Sequence, residues 1–171
     1  AHNAHTEVIT LEAQGEKSEY SVLLAHAQDT LMNAILAEFK DIKKEEVGIG
    51  STIYAVKPGD GSAREQAASC QKVLGGWANI AKEYATKRYR SNLINWGMLP
   101  FIYEEEELPF ANGDYLFIPG IADAIKTKKK EIPAYVVKDG KLNPFTLKMS
   151  ELTDDERDII LKGCLINYNR K

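Results

Sequence analysis

The chain has 171 residues, of which 44% are hydrophobic and 27% are charged; this composition is typical of a folded domain and excludes a long low-complexity protein. Its net charge of -3 at pH 7 does not favour a nucleic-acid or membrane-surface partner, and no apolar run approaches the roughly 20 residues that span a bilayer. We therefore expect a single domain over residues 1–171 of a cytoplasmic protein, without nucleic-acid or membrane partners. Because the sequence begins at Ala1 without an initiator methionine, we expect it to be the C-terminal part of a longer protein, although methionine removal gives the same start.

The first predicted elements are a strand, a helix and a second strand. Apolar residues alternate within residues 5–13, which predicts a strand, and Asp29 stands in the position of an N-cap for the helix that follows. That helix is predicted to end near Asp41, since its apolar residues follow three-and-four spacing: Leu31, Met32, Ile35, Leu36 and Phe39. A β-branched and aromatic strand is predicted over residues 52–56, and it ends before Pro58 and Gly59.

The middle of the chain alternates helices and strands. Good helix formers run from Ala63 to Val73, and the glycines at 75 and 76 end that helix. A short buried strand over residues 77–81, a helix over residues 84–95 and a further strand beginning within residues 97–101 follow. This βαβαβ order predicts an α/β fold with a central parallel sheet and right-handed crossovers.

After Glu107 the pattern changes and predicts antiparallel strands. Residues 113–120 read as a strand, and residues 132–149 read as a hairpin that turns at Asp139 and Gly140. Thr153 and Glu156 form a capping-box pattern that opens the last helix. We interpret the acidic run at 104–107 and the basic run at 126–130 as solvated loops.

The stretch PGDGSAREQAAS, residues 58–69, predicts an anion site at a strand-to-helix turn. If the turn delivers Gly61, Ser62 and Ala63 to the start of the helix, their backbone N–H groups lack intrahelical partners and carry the positive end of the helix dipole. Arg64 adds a planar guanidinium that binds a carboxylate through two hydrogen bonds. We therefore predict that Gly61, Ala63 and Arg64 bind a carboxylate ligand.

Ser62 has two possible roles in this turn. The commoner role is an N-cap that satisfies a backbone N–H of the helix. The alternative is a base, because backbone donors and a nearby guanidinium stabilise an alkoxide as they stabilise any oxyanion. The three histidines are not arranged around the motif in sequence, so a Ser-His triad has little support: His2, His5 and His26.

Cys70 and Cys164 lie far apart and form neither a C-x-x-C motif nor a Cys/His pattern. We therefore expect no metal ligand in this chain and interpret both cysteines as reduced, packed thiols.

Several motifs in consistent order carry a resemblance to a known family. GDGSAREQAA, LGGWANIAKEYA, RSNLINWGMLPF and GDYLFIPG, within residues 51–120, resemble the C-terminal swivel domain of the aconitase family and are similar to the small subunit of isopropylmalate isomerase. The resemblance implies a swivelling β/β/α domain with a central parallel sheet, an antiparallel layer and flanking helices. It also implies a hydro-lyase component in which Ser62 is the catalytic base and Arg64 binds a substrate carboxylate. The reaction implied is the reversible dehydration of a hydroxy di- or tricarboxylic acid.

The resemblance further implies a 4Fe-4S cluster in the full enzyme, held by cysteines of other domains or of a large subunit, with no ligand in this chain. Several positions depart from the family's pattern. Ala63 replaces a second motif serine, and Glu83 replaces the serine of K-S-F-A. The spacing from Glu83 to Asn92 is about one residue longer than in the family. Arg64 is the first arginine in the chain, so the further substrate-binding arginine that aconitases carry upstream has no candidate here. The substrate is therefore not transferred. Two alternatives remain, a non-catalytic carboxylate-binding or regulatory module and a free-standing small subunit.

Four further residues have structural interpretations. We expect Arg88 and Arg90 on the surface of a helix, and Trp77 and Trp96 in the core or at a domain contact.

Overall fold

The computed structural model describes residues 31–170. The strand predicted over residues 5–13 and the cap predicted at Asp29 lie outside the described residues. The larger of two compact units consists of Gly48–Val136 and Asn143–Lys171, and all of the candidate site residues lie in it. The described residues of the other unit are 31–47 and 137–142. Residues 31–38 are helical (α1), so this helix ends before the predicted Asp41.

A six-stranded mixed sheet forms the framework of the larger unit, except that residues 137–142, at the tip of its last hairpin, are counted with the other unit. Its strands are β1 (Ser51–Ala55), β2 (Gly76–Ala81), β3 (Leu99–Ile102), β4 (Tyr115–Phe117), β5 (Glu131–Lys138) and β6 (Lys141–Met149). Their order across the sheet is β1-β2-β3-β6-β5-β4. β1, β2 and β3 are parallel, and β6 runs antiparallel to β3. The predicted α/β class, with a parallel half and antiparallel strands, is confirmed, and the two halves join at β3 in one sheet.

Helices connect and flank these strands. They are α2 (Arg64–Val73), α3 (Lys87–Asn95), α4 (Ile121–Lys126), α5 (Asp154–Leu161) and α6 (Leu165–Asn169). α2 and α3 are the crossovers of the parallel half, as the sequence predicts. Thr153 caps α5 by accepting a hydrogen bond from the backbone N–H of Glu156, and the Glu156 side chain accepts one from the N–H of Thr153, which confirms the capping box.

Two clusters of buried side chains hold the unit together. The larger lies along β2, β3, β5, β6 and α5, with Ile80, Phe101, Ile132 and Leu147 at its centre. The smaller lies under α2 and α3 and consists of Ala68, Tyr89, Leu93 and Met98. The smaller cluster supports the loop that carries the glycine–serine–arginine motif.

Candidate functional site

The carboxyl ends of the three parallel strands meet at one edge of the sheet. Ala55 pairs with Ala81, and Ala81 pairs with Ile102, so the loops that follow these strands begin side by side. The first of these loops, residues 56–63, contains the motif, and the second, residues 82–86, leads into α3. Ligands of open α/β sheets bind beyond the carboxyl ends of the strands, so this edge is the candidate site.

The second loop fixes the first through three hydrogen bonds. The backbone N–H of Glu83 donates to the Val56 oxygen at 3.2 Å, and that of Ala85 donates to the Pro58 oxygen at 3.0 Å. The hydroxyl of Thr86 donates to the Gly59 oxygen at 3.1 Å. Three carbonyls of the motif loop are thus held by one neighbouring loop, which gives the motif a defined backbone conformation.

The two glycines of the motif differ in what their surroundings require. Gly59 has a φ of 95°, and a Cβ at this position would overlap the side chain of buried Tyr89. Only glycine fits such a position without strain. Gly61 has no positive φ, and a Cβ there would meet nothing within 4 Å. Packing therefore explains Gly59, whereas nothing that packs around Gly61 requires a glycine.

Ser62 is exposed and lies one residue before the N-cap of α2. The N-cap itself is Ala63, whose side chain makes no capping hydrogen bond, so the N-cap interpretation of Ser62 is wrong. Of the three predicted backbone donors, Ala63 belongs to the helix start, while Gly61 and Ser62 lie in the loop. The carboxylate-binding roles of Gly61 and Ala63 and the base role of Ser62 stay predictions.

Arg64 is half-buried, and one edge of its guanidinium binds the motif loop. Its Nε donates to the Gly59 oxygen at 3.0 Å, and its Nη2 donates to the Asp60 oxygen at 3.3 Å. Nε and Nη2 share the side edge of the guanidinium, so this edge is occupied by backbone carbonyls. A guanidinium has five N–H donors, and the adjacent end edge, formed by Nη1 and the second N–H of Nη2, retains donors for an incoming carboxylate. Arg64 thus holds the loop in place and still has two parallel N–H donors for a carboxylate.

Thr86 is a residue of this site that the sequence analysis missed. It is the N-cap of α3, where its hydroxyl accepts from the N–H of Tyr89 at 3.2 Å and donates to the same Gly59 oxygen that Arg64 binds. Its position directly before a helix is the capping signal that a closer reading of residues 84–95 detects. Its bond to Gly59 joins residues that are distant in sequence, and no local pattern predicts it.

Exposed charges surround the loops. Lys57 pairs with Glu83 at 2.7 Å, and the hydrogen bond and charge of Glu83 raise the pKa of Lys57. Lys82 pairs with Glu106 at 3.4 Å. All residues of the runs 104–107 and 126–130 are exposed, which confirms that both runs are solvated, but Lys126 is the last residue of α4 rather than part of a loop.

The predicted surroundings of the two arginines of α3 and of the two tryptophans agree with the structure only in part. The Arg90 guanidinium binds the hydroxyl of Ser150 at 2.9 Å and the carboxylate of Glu156 at 3.0 Å, so it joins α3 to the start of α5 rather than standing free on the surface. Arg88 is exposed, as predicted. Trp77 is 48% exposed, so it does not lie in the core, and its alternative placement at a domain contact stays a prediction. Trp96 is half-buried and donates to Glu65.

The cysteines also differ from expectation. Cys164 is half-buried, but Cys70 is exposed, so its interpretation as a packed thiol is wrong. Ala68 takes the buried side of α2, and a residue two positions further along a helix points about 200° away around the axis. Cys70 instead lines a surface groove of about 200 Å³ together with Ile53 and Leu74. Within residues 31–170, no three His, Cys, Asp or Glu side chains come together as a metal site.

No helix among the described residues is long and apolar enough to cross a bilayer.

Two groups of known proteins resemble the chain. Residues 1–49 match the family model described as "PTS system, Lactose/Cellobiose specific IIA subunit". In agreement, the galactose-specific EIIA component of a phosphotransferase system from Lactococcus lactis subsp. cremoris is 50% identical over 57 residues, which cover 33% of this chain and 47% of that protein.

The second group shares longer segments with the chain. The methanogen homoaconitase small subunit of Methanocaldococcus jannaschii is 35% identical over 132 residues, which cover 77% of this chain and 66% of the subunit. Aconitate hydratase A of Rickettsia bellii is 27% identical over 150 residues, which cover 85% of this chain and 16% of that enzyme. The chain therefore spans about a sixth of the aconitate hydratase and slightly less than two thirds of the small subunit.

Proposed function

Because the chain carries a swivel domain of the aconitase family, similar to the family's small subunits, we propose that it forms one side of a hydro-lyase site. The reaction is the reversible dehydration of a hydroxy di- or tricarboxylic acid. The observation that carries this proposal is the arrangement of Arg64, which is fixed to the motif loop by one edge and keeps the other edge open at the carboxyl end of the parallel strands.

Arg64 binds a substrate carboxylate in this proposal. The Nη1 and Nη2 donors form two parallel hydrogen bonds to the two carboxylate oxygens, which fixes the orientation of the substrate as well as its position. The backbone N–H groups around Gly61 and Ala63 add further donors beside the start of α2. The ten-residue helix α2 contributes the positive end of its dipole to the same place.

Ser62 is the base. In the dehydration direction its alkoxide takes the proton from the substrate carbon next to a carboxylate, and the electron pair of that C–H bond forms the double bond as the hydroxyl leaves as hydroxide. The hydroxide takes up a separate proton from solvent to become water. In the hydration direction Ser62 returns the proton. The dipole of α2 stabilises the alkoxide because the exposed Ser62 lies one residue before the N-cap of this helix, where the dipole places positive charge.

The described residues do not fit an iron–sulfur cluster. Clusters of this kind take cysteine thiolates, and Cys70 and Cys164 belong to no group of three possible ligands within residues 31–170. No step is therefore assigned to a cluster here. That a 4Fe-4S cluster completes the enzyme, held by a large subunit or by further domains, stays part of the proposal, and the small-subunit name of one relative supports a large-subunit partner.

The test is anaerobic hydratase activity of this chain combined with a cluster-bearing large subunit. The substrate panel comprises citrate, homocitrate and isopropylmalate. We expect turnover of at least one member, and Ser62→Ala to lower kcat by about 10³-fold while substrate affinity changes little. Ser69→Ala is the matched control, because Ser69 lies on the same helix and bonds only the Gln66 oxygen. Turnover that survives Ser62→Ala contradicts the base assignment.

A second candidate function is a carboxylate-binding or regulatory module without catalysis. Two substitutions favour it: Ala63 lacks the hydroxyl of the family's second motif serine, and Glu83 places a negative charge in the neighbouring loop. Calorimetric binding of citrate without turnover, in the presence of a loaded large subunit, supports this candidate over the enzyme.

The domain organisation is also a proposal. The expectation of one domain over residues 1–171 stays a prediction, and the match of residues 1–49 to a different family favours a separate segment ahead of the swivel domain. Limited proteolysis with mass spectrometry distinguishes a single domain from two separate segments. A stable fragment that begins near residue 48 supports two segments, and uniform resistance along the chain supports one domain.

A further inference from the structure

One backbone oxygen connects the start of α3 with Arg64, the candidate carboxylate-binding residue. The Gly59 oxygen accepts from Arg64 Nε at 3.0 Å and from the Thr86 hydroxyl at 3.1 Å. The same hydroxyl accepts from the N–H of Tyr89 at 3.2 Å. The hydrogen bonds therefore run without a gap from the backbone of α3 through Thr86 and Gly59 to Arg64.

We propose that Thr86 is the positioning residue of Arg64: its hydroxyl holds the Gly59 carbonyl, which in turn holds the side edge of the guanidinium so that the end edge, formed by Nη1 and Nη2, faces the substrate. The inference rests on the proposed function only for the identity of the ligand. The geometry of Arg64 itself is a property of this chain and is measurable without a partner.

A hydroxyl is required at position 86 because it both accepts and donates. It accepts the N–H of Tyr89, which caps α3, and it donates its own proton to the Gly59 oxygen. Serine keeps both bonds. Valine has nearly the same shape and makes neither bond, while glycine is a tolerated N-cap that lacks the donor.

The loop retains other anchors when Thr86 is changed. The N–H of Ala85 still donates to the Pro58 oxygen, and Gly59 still lies against buried Tyr89. The loss therefore falls on the orientation of the Gly59 peptide, since its oxygen keeps only the bond from Arg64. A guanidinium bound to a less restrained carbonyl samples more orientations, which weakens a contact made by two parallel hydrogen bonds more than a contact made by one.

The first experiment measures hydrogen exchange of the Arg64 Nε proton by ¹⁵N–¹H NMR in the full chain, with the signal assigned by its loss in Arg64→Lys. We expect a protected signal in the native chain and in Thr86→Ser, and exchange faster by about tenfold in Thr86→Val and Thr86→Gly. Equal protection in native and Thr86→Gly protein overturns the proposal, as does an unprotected signal in the native chain.

Thr153→Val is the matched control for lost helix capping. Thr153 caps α5 through the N–H of Glu156, as Thr86 caps α3 through that of Tyr89, but it makes no bond to the motif loop. We expect Thr153→Val to leave Arg64 Nε protection unchanged. If it accelerates exchange as much as Thr86→Val does, general loosening explains the effect and the positioning role is wrong.

The second experiment uses the chain assembled with its large subunit. Thr86→Gly is expected to raise KM by about tenfold with kcat within about twofold, and Thr86→Ser to restore the native KM. A fall in kcat with unchanged KM contradicts the proposal. If no assembly turns over any substrate, the proposed function fails, and the exchange measurement still decides the role of Thr86.

Discussion

Gly59 lies directly against Tyr89: a Cβ on Gly59 would lie 2.6 Å from the Cδ1 atom of the tyrosine ring. Tyr89 has little freedom to move away, because it is 2% exposed and its hydroxyl accepts hydrogen bonds from Gln71 and Asn79. The motif loop therefore rests on a fixed side chain of α3, and its first glycine is a packing requirement.

We predict that Gly59→Ala lowers the free energy of unfolding by about 2 kcal/mol or more, because it adds both a steric overlap and a strained positive φ. Urea denaturation measures this change. Gly61→Ala is the matched control and is expected to change stability by less than about 0.5 kcal/mol, since no atom lies within 4 Å of its added Cβ. Equal losses in both variants would show that the loop does not rest on Tyr89 as described.

A lysine at position 64 keeps the positive charge but lacks the planar arrangement of N–H donors of the guanidinium. An ammonium has no planar edge to bridge the Gly59 and Asp60 oxygens while presenting two parallel donors outward. We predict that Arg64→Lys raises KM of the assembled enzyme by about tenfold or more and lowers stability by about 1 kcal/mol. Steady-state kinetics and urea denaturation measure the two effects. Native KM in Arg64→Lys would remove Arg64 from the substrate contacts.

Arg90 and Arg88 are neighbours on α3 with opposite environments. The side chain of Arg90 is 16% exposed and its guanidinium binds Glu156, Ser150 and the Glu151 oxygen, whereas Arg88 is exposed. We predict that Arg90→Met lowers the free energy of unfolding by about 2 kcal/mol, since it leaves Glu156 partly buried without its partner. Arg88→Met is expected to stay within about 0.5 kcal/mol. Similar losses in thermal and urea denaturation of both variants would contradict the structural role of Arg90.

Asp154 gives the region around α5 a dependence on pH. The hydrogen bond and charge of Lys128 hold the pKa of the Asp154 carboxyl below its ordinary 3.8. A carboxyl whose folded pKa is depressed stabilises the protein above its unfolded pKa, and this contribution is lost as pH falls through the folded pKa. Lys128→Gln should therefore shift the Asp154 pKa upward in an NMR titration, and lower stability more at pH 7 than in acid.

The control for that titration is Lys126→Gln, since Lys126 pairs with Asp123 at 3.7 Å rather than with Asp154. An unchanged Asp154 pKa in Lys128→Gln, or an equal shift in Lys126→Gln, would contradict the pair. Because both side chains of the Lys128–Asp154 pair are exposed, salt should weaken the shift.

Features with a local cause were predictable from the sequence. Asp139 and Gly140 adopt φ angles of 52° and 72°, the left-handed conformation that an Asp-Gly turn between two strands requires. The capping box at Thr153 needs only residues three apart, and the helix α2 follows from a run of helix formers that ends before Gly75 and Gly76. In each case the interacting groups are neighbours in the chain.

Features that depend on distant partners were not predictable. The commoner of the two roles predicted for Ser62 was the cap of α2, but the cap is Ala63. The loop before it is held by Ala85 and Thr86 of the next crossover, and no local pattern predicts these contacts. The sequence likewise found Arg64 but not the carbonyls that occupy its side edge. The family resemblance supplied the expected roles of these residues, and those roles stay predictions.

The junction at β3 has a consequence for synthesis on the ribosome. β1, β2 and β3 and their crossovers follow one another along the chain, so the parallel half is complete once Ile102 has left the exit tunnel. The antiparallel partner of β3 is the much later β6, in which Met149 pairs with Phe101 and Lys148 with Ile102. At about 5–20 residues per second, β3 remains an open strand edge for several seconds beside the side chain of Phe101, which is fully buried in the finished protein. The nascent chain is therefore most exposed to aggregation and to chaperone binding between the synthesis of these two strands.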